Sequence, residues 1–120
     1  MTREEALAGH RKLWNEIADM IERGVQEDYG LLYKVTALEN LGEKRAIKGG
    51  CYLCEYAYKY ESVMRIWACA FDCIVRWRGL SCGHPKSEYK SFERAVLVKD
   101  YTQAAILART IANLPERVVG

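Results

Sequence analysis

The chain has 120 residues, of which 50% are hydrophobic and 28% are charged, and its formal net charge is +2. That length suits one hydrophobic core, so we expect a single domain over residues 1–120. The sequence pI of ≈ 8.3 lies below the value of about 9 above which domains are built mainly to hold phosphate backbones, so nucleic acid is allowed as a partner without being required. No apolar run approaches the roughly 18 residues that span a bilayer, and the polar start is unlike a signal peptide, so we expect a cytoplasmic protein that does not enter membranes.

The first predicted element is an amphipathic helix over residues 3–23. Thr2 and Glu5 have the spacing of a capping box, in which the threonine side chain accepts a hydrogen bond from the first turn. Apolar residues then recur at helical spacing until Gly24, whose conformational freedom suits a helix stop. We expect this helix to pack its apolar stripe against another element.

A second, shorter helix is predicted over residues 31–41. It ends before Gly42, and its apolar residues at three-residue steps are Leu32, Val35, Leu38 and Leu41. The following stretch, residues 43–50, is charged and finishes with two glycines. This composition indicates a loop that leads the chain to Cys51.

The middle of the chain has a mixed pattern. Residues 55–65 fit both the alternation of a strand and the periodicity of a helix, and we favour a helix there. Residues 66–77 hold a second pair of cysteines, and residues 78–85 are rich in turn-forming types.

Two further helices are predicted near the carboxyl end. Ser87 is a suitable cap for a helix over residues 88–98. Asp100 and Gln103 again have the form of a capping box, here before a helix over residues 101–113. The sequence therefore predicts a mainly α protein of about four to five helices.

Five cysteines occur in a chain without an export signal, a setting in which metal sites are more common than disulfides. Cys51 and Cys54 have the two-residue spacing with which a tight turn directs two sulfurs at one zinc ion. Cys69 and Cys73 form a second pair further along. The sequence thus predicts one structural Zn²⁺ per chain, held by these four thiolates in a small zinc-knuckle-like or ribbon-like insert among the helices.

Several sets of ligands are compatible with the second half of this site. Cys69 and Cys73 are separated by three residues, and Cys82 or His84 can take the place of either of them or pair with Cys73. Cys69 and Cys73 can also be read as small buried side chains on one helix face. A redox role for the Cys51 and Cys54 pair lacks the βαβ pattern that accompanies such motifs.

The sequence contains none of the catalytic motifs that would accompany a zinc hydrolase or a phosphate-transfer enzyme. It has no His-Glu-x-x-His, no glycine-rich phosphate loop and no deaminase signature. Catalytic zinc keeps an open position beside histidine or carboxylate ligands, whereas this chain offers mostly thiolates. Of its two histidines, His10 falls in the first helix, where a surface or packing role is typical. We expect a protein that is not an enzyme and has no small-molecule substrate.

Aromatic residues and arginines surround the cysteines. Aromatic rings beside arginines can stack nucleic-acid bases, and they are also frequent in protein-binding hot spots. A third interpretation is that they fill a thin core around the metal. The residues concerned are Tyr52, Tyr56, Tyr58, Tyr60, Trp67, Phe71, Trp77 and Tyr89, with Arg65, Arg76 and Arg78 between them.

The order of these features resembles small cysteine-containing proteins encoded by phages and prophages of Gram-positive bacteria. The chain departs from the usual pattern at the three-residue spacing before Cys73 and at Ile74, where proline is expected. The segments that carry the resemblance are His10-Arg11-Lys12-Leu13-Trp14, Ala37-Leu38-Glu39-Asn40-Leu41-Gly42, Cys51-x-x-Cys54-Glu55-Tyr56-Ala57, and Cys73-x-x-x-Trp77 followed by Cys82.

The resemblance implies an accessory protein of the bacterial host cytoplasm, and some small phage zinc proteins are similar to inhibitors of CRISPR nucleases. It implies that this chain is an anti-CRISPR protein, which binds a host defence protein such as a type II CRISPR effector nuclease or its guide-RNA complex. The alternative is a zinc-ribbon-like nucleic-acid-binding accessory or regulatory protein, whose affinity should fall steeply with salt. The basic residues that motivate it are Arg65, Arg76, Arg78, Lys86 and Lys90.

Overall fold

The computed structural model describes residues 2–45, 52–53, 74–79 and 82–116. Within these ranges it contains four helices, which confirms a mainly α fold. The helix predicted over residues 55–65 and the zinc-binding insert lie outside the described residues. The four helices are α1 (Arg3–Glu22), α2 (Gly30–Asn40), α3 (Glu88–Leu97) and α4 (Tyr101–Ala112).

The predicted starts of α1, α3 and α4 are confirmed by their capping hydrogen bonds. The Thr2 hydroxyl oxygen accepts the backbone N–H of Glu5 at 3.1 Å at the start of α1. The Ser87 hydroxyl accepts the N–H of Lys90 at 3.1 Å, and a carboxylate oxygen of Asp100 accepts that of Gln103 at 3.1 Å. These bonds satisfy backbone donors that have no partner inside the first turn of a helix.

The predicted stops after α1 and α2 are confirmed as well. Gly24 and Gly42 adopt φ of 93° and 72°, the left-handed conformation that glycine enters without a steric penalty. In both turns the residue after the glycine donates a backbone hydrogen bond to the carbonyl oxygen of the third-last helical residue, Met20 in α1 and Leu38 in α2, which is the Schellman arrangement.

Helix α1 is the centre of the described fold, with α4 packed antiparallel along it. The Arg11 guanidinium donates to the carbonyl oxygen of Ala112 at 2.8 Å, and Arg109 donates to the side chain of Asn15 at 3.0 Å. The buried residues of α1 recur on one face, so the apolar stripe predicted for it is the one that forms the core. These residues are Ala6, His10, Leu13, Trp14, Ile17, Ala18, Met20 and Ile21.

Helices α2 and α3 close the other side of the core. The Trp14 ring meets Phe92 of α3 edge-on, with ring centroids 5.0 Å apart. The Tyr33 ring of α2 lies 6.2 Å from Phe92 between centroids, and its hydroxyl donates to the carbonyl oxygen of Val25 at 2.7 Å. Full burial of each large apolar side chain stabilises the fold by about 1.5–3 kcal/mol, so these rings tie α1, α2 and α3 together.

The segment over residues 74–79 is extended at first and packs beside the end of α4. Val75 pairs with Glu116 in an antiparallel bridge, and the backbone N–H of Arg76 donates to the carbonyl oxygen of Pro115 at 2.8 Å. Ile74, Val75 and Trp77 are buried in the core. Among the described residues, no helix is both long and apolar enough to cross a membrane.

Candidate functional site

The predicted zinc ligands Cys51, Cys54, Cys69 and Cys73 lie outside the described residues. The rival ligands Cys82 and His84 are described, and both are half-buried. The Nδ1 atom of His84 accepts the backbone N–H of Lys86 at 3.1 Å. No cluster of three or more metal-ligating side chains forms within the described ranges.

The residues beside the predicted ligands are well packed. Tyr52 and Leu53, the two residues between Cys51 and Cys54, belong to the buried core. A Cβ atom at Gly9 of α1 would lie 2.7 Å from the Tyr52 ring, so the absence of a side chain at Gly9 makes room for this ring. The short segment that links two predicted ligands is therefore docked on α1.

The segment that follows Cys73 docks at the adjacent position of α1. The rings of His10 and Trp77 are perpendicular, with centroids 6.1 Å apart. Because Gly9 and His10 are neighbours, the chain beside both predicted halves of the metal site contacts the same turn of α1. The structure thus places residues adjacent in sequence to the predicted ligands close together on α1, while the ligands themselves lie outside the described residues.

His10 is a core residue and not a candidate ligand or catalytic base. Its Nε2 atom lies 2.8 Å from the carbonyl oxygen of Ile111, and because that oxygen can only accept, Nε2 carries a proton. Burial lowers the pKa of His10 from 6.5 to about 4. The ring is therefore neutral at physiological pH, and the packing role expected from the sequence fits this environment.

A cleft of about 360 Å³ lies between α1, the end of α2 and Tyr52. Its lining includes charged residues of both signs, the acids Glu5 and Glu43 and the bases Lys12 and Arg45. The Arg45 guanidinium forms an ion pair with Glu43 and lies 6.0 Å from the centroid of the Tyr52 ring. Burial raises the pKa of Tyr52, so its hydroxyl stays protonated at neutral pH. Because the cleft carries charges of both signs, it does not favour either an anionic or a cationic ligand.

The described aromatic residues near the cysteines are part of the core. Trp77 and Tyr52 are buried, and Tyr89 meets Trp14 edge-on with centroids 5.9 Å apart. Among the three interpretations of the aromatic residues, core filling therefore holds for these rings. Of the basic residues in the predicted nucleic-acid surface, Arg76, Arg78 and Lys86 are exposed and Lys90 is half-buried, whereas the rings named here are buried or half-buried.

The most unusual surface lies on α2. Eight large hydrophobic side chains are exposed in the described residues, and five of them lie at or next to this helix. Monomeric proteins expose few contiguous apolar patches, and such a concentration is typical of an interaction surface. The five residues and their exposed fractions are Tyr29 61%, Leu31 54%, Leu32 40%, Val35 46% and Leu41 41%.

Helix α2 turns a charged residue inward while these side chains face out. Lys34 is only 7% exposed, and its Nζ atom lies 4.1 Å from the centroid of the Tyr89 ring and 5.8 Å from that of Trp14. Such cation–π contacts stabilise a buried ammonium group. Leu31, Leu32 and Val35 therefore form an exposed apolar strip, which we call the α2 outer face.

The sequence pattern predicts helix α2 but not this surface. Its apolar steps at Leu32, Val35 and Leu41 mark residues that are exposed, whereas the buried positions are Gly30, Tyr33, Lys34 and Ala37. One signal was present in the sequence, because apolar residues occur all around this helix. A surface helix normally has one apolar stripe, and a second one suggests a second contact.

Comparison with known proteins finds no family model that matches the chain, no match among curated proteins and no match among solved structures.

Proposed function

We propose that this protein is a non-catalytic protein-binding module that contacts its partner through the α2 outer face. The single observation that carries the proposal is the display of Leu31, Leu32 and Val35 to solvent on a helix that buries its own lysine. A helix that inserts apolar residues into a groove is a common mode of protein recognition, with anchors three and four positions apart. Leu31, Leu32 and Val35 have this spacing.

The resemblance to small phage proteins supports a specific partner class for this module, a host defence protein in the bacterial cytoplasm. In its most concrete form the protein is an anti-CRISPR protein that binds a type II CRISPR effector nuclease and prevents it from engaging or cleaving DNA. Such an inhibitor acts by occupying a surface, so it requires no catalytic residue of its own.

The test is a DNA-cleavage assay with purified type II effector nucleases loaded with guide RNA. Wild-type protein in excess should protect the target DNA, and the double variant Leu31→Ser with Val35→Ser should lose protection by tenfold or more. The matched control is Ile106→Ser, which changes an exposed apolar residue on α4. Full protection by the double variant, or cleavage unaffected by wild-type protein, would contradict this function.

A structural zinc ion bound by Cys51, Cys54, Cys69 and Cys73 is the second part of the proposal. Support comes from the burial of Tyr52 and Leu53 between Cys51 and Cys54, and of Ile74 and Val75 directly after Cys73. Four thiolates suit a closed tetrahedral site. In zinc-finger peptides such sites contribute about 10–16 kcal/mol of apparent binding free energy, as much as the stability of a small domain.

Elemental analysis of the purified protein tests this site directly. One zinc per chain is expected, and Cys51→Ser or Cys73→Ser should release the metal and unfold the protein. Cys82→Ser is the control and should keep both metal and fold. A metal-free wild-type protein would refute the site. Metal loss in Cys82→Ser, with metal retained in Cys69→Ser or in Cys73→Ser, would assign Cys82 as a ligand in place of the cysteine whose variant retains the metal.

Nucleic-acid binding is the alternative function, and the exposure of Arg76, Arg78 and Lys86 favours it. If these cations contact phosphates, affinity should fall steeply as salt rises and should drop when all three are changed to glutamine. Electrophoretic mobility shifts of DNA and RNA at low salt decide this. The absence of any shift would eliminate the alternative.

A further inference from the structure

The exposed charged residues on α2 and just before it are both carboxylates. The exposed charged residue of α2 itself is Glu39, because Lys34 is buried. Asp28, just before the helix, is also exposed. At 100° per residue, Glu39 lies on the same side of the helix as Leu32 and Val35, so the strip combines apolar anchors with carboxylates.

The carboxyl-terminal end of α2 is followed by charges of both signs. Beyond Gly42 the chain carries Glu43, Lys44 and Arg45, and Arg45 forms an ion pair with Glu43. This end has both signs of charge and does not offset the carboxylates beside the apolar anchors. Between Asp28 and Glu39 the chain therefore presents carboxylates and no exposed cation of its own.

A second copy of this chain is a poor occupant for the α2 outer face. Antiparallel pairing of two such helices about Leu32 and Val35 would bring Glu39 of one copy towards Asp28 of the other. Parallel pairing would place the two Glu39 residues side by side. Like charges held together at an interface oppose association, so both symmetric arrangements are disfavoured.

Phosphate-bearing surfaces are poor occupants for the same reason. Nucleic acids and anionic membranes bind proteins through lysine and arginine, and this strip presents carboxylates instead. A protein groove with apolar walls and a basic rim satisfies both features. Its walls cover Leu31, Leu32 and Val35, and its cations pair with Asp28 and Glu39 at the edge of the contact.

We infer that the partner presents an apolar groove flanked by lysine or arginine, into which the α2 outer face inserts. This inference rests on the proposed protein-binding function and adds the chemistry of the partner surface to it. Exposed rim charges act mainly on the rate of association, so the contact should form faster at low salt.

Photo-cross-linking in the soluble fraction of a Gram-positive bacterium tests the inference. Benzoylphenylalanine is introduced in place of Val35, and in place of Ile106 as the matched control. We expect cross-links from position 35, and not from position 106, to one protein. Mass spectrometry should place them in a segment where apolar residues lie between lysines or arginines.

The charge-reversal variant Asp28→Lys with Glu39→Lys separates this inference from the proposed function. In that variant the yield of the cross-link from position 35 should fall by tenfold or more. In the neutral variant Asp28→Asn with Glu39→Gln, the same yield should fall less. An unchanged or stronger yield, or a partner segment without basic residues, would overturn the basic-rimmed groove and leave protein binding in place.

Other outcomes would overturn both the basic-rimmed groove and the proposed protein-binding function. Cross-links from position 35 to nucleic acid, to a second copy or to residues 54–73 of the same chain would show that the α2 outer face has a different occupant. Cross-links that are no more abundant from position 35 than from position 106 would show that the strip binds no protein specifically.

Discussion

Helices α1 and α2 have the same sequence signal and opposite relations to the core. Both carry apolar residues at helical spacing, and each is followed, two residues after its last helical residue, by a glycine with positive φ. In α1 the apolar stripe is buried, whereas much of the apolar surface of α2 faces solvent. Periodicity thus establishes that a segment is helical, and the neighbours decide which of its faces is covered.

The largest expected contrast compares one apolar truncation in each helix. Ile17→Ala in α1 should lower the free energy of unfolding by about 2–5 kcal/mol, because Ile17 is fully buried. Leu31→Ala in α2 should change it by no more than about 0.5 kcal/mol. Urea denaturation measures both values. Equal losses would mean that the α2 outer face is a folding surface within the chain and not a binding surface.

The pH dependence of stability tests the burial of His10 in α1. The pKa of His10 falls from 6.5 in the unfolded chain to about 4 in the folded protein. Below pH 6.5 the unfolded state therefore takes up a proton that the folded state excludes, so stability falls as the pH drops towards 4. The loss from this residue amounts to about 3 kcal/mol at most.

His10→Gln is the control for this effect, because the glutamine amide can donate to Ile111 without titrating between pH 7 and pH 4. Other ionisable groups contribute equally in both proteins, so the difference between the two pH profiles isolates His10. Urea denaturation at several pH values should give a shallower profile for the variant. Identical profiles would show that His10 is not buried in neutral form.

Lys34 offers the corresponding test in α2. Lys34→Ala should lower the free energy of unfolding by about 1–3 kcal/mol, because it removes the packed stem and the cation–π contacts with Tyr89 and Trp14. Lys34→Met keeps an unbranched apolar stem and should lose less. Thermal denaturation ranks the two variants, and equal stability of Lys34→Ala and the wild-type protein would contradict the inward orientation of Lys34.

The sequence predicts the helix ends well because their signals are local. Thr2, Ser87 and Asp100 each cap a helix within three residues, so no distant contact is needed to recognise them. The orientation of α2 depends instead on Phe92 and Tyr89, which come more than fifty residues later in the chain. Periodicity carries no information about such partners.

The zinc site remains a prediction because its four cysteines fall outside the described residues. The structure adds a fact that spacing does not contain, namely that Tyr52 is a core residue packed on Gly9. A Cys-x-x-Cys motif by itself does not specify what its two intervening residues contact. The link between α1 and the predicted site follows from this packing.

The smallest expected contrast uses one glycine in each helix and tests this link. Alanine at Gly9 would place its Cβ 2.7 Å from the buried Tyr52 ring, whereas alanine at Gly30 would place it 3.2 Å from Phe92. Overpacking at Gly9 exceeds the gain in helix propensity, which gives a net destabilisation of about 1 kcal/mol. At Gly30 the two effects should cancel to within about 0.5 kcal/mol.

The same pair of variants separates a packing effect from a metal effect. Tyr52 lies between two predicted ligands, so Gly9→Ala should weaken zinc affinity in a chelator competition assay, whereas Gly30→Ala should not. If both variants retain wild-type affinity while Gly9→Ala is less stable, Tyr52 is only a core residue. If affinity falls with stability at Gly9 alone, α1 and the predicted metal site form one cooperative unit, and α2 is a helix that this unit displays.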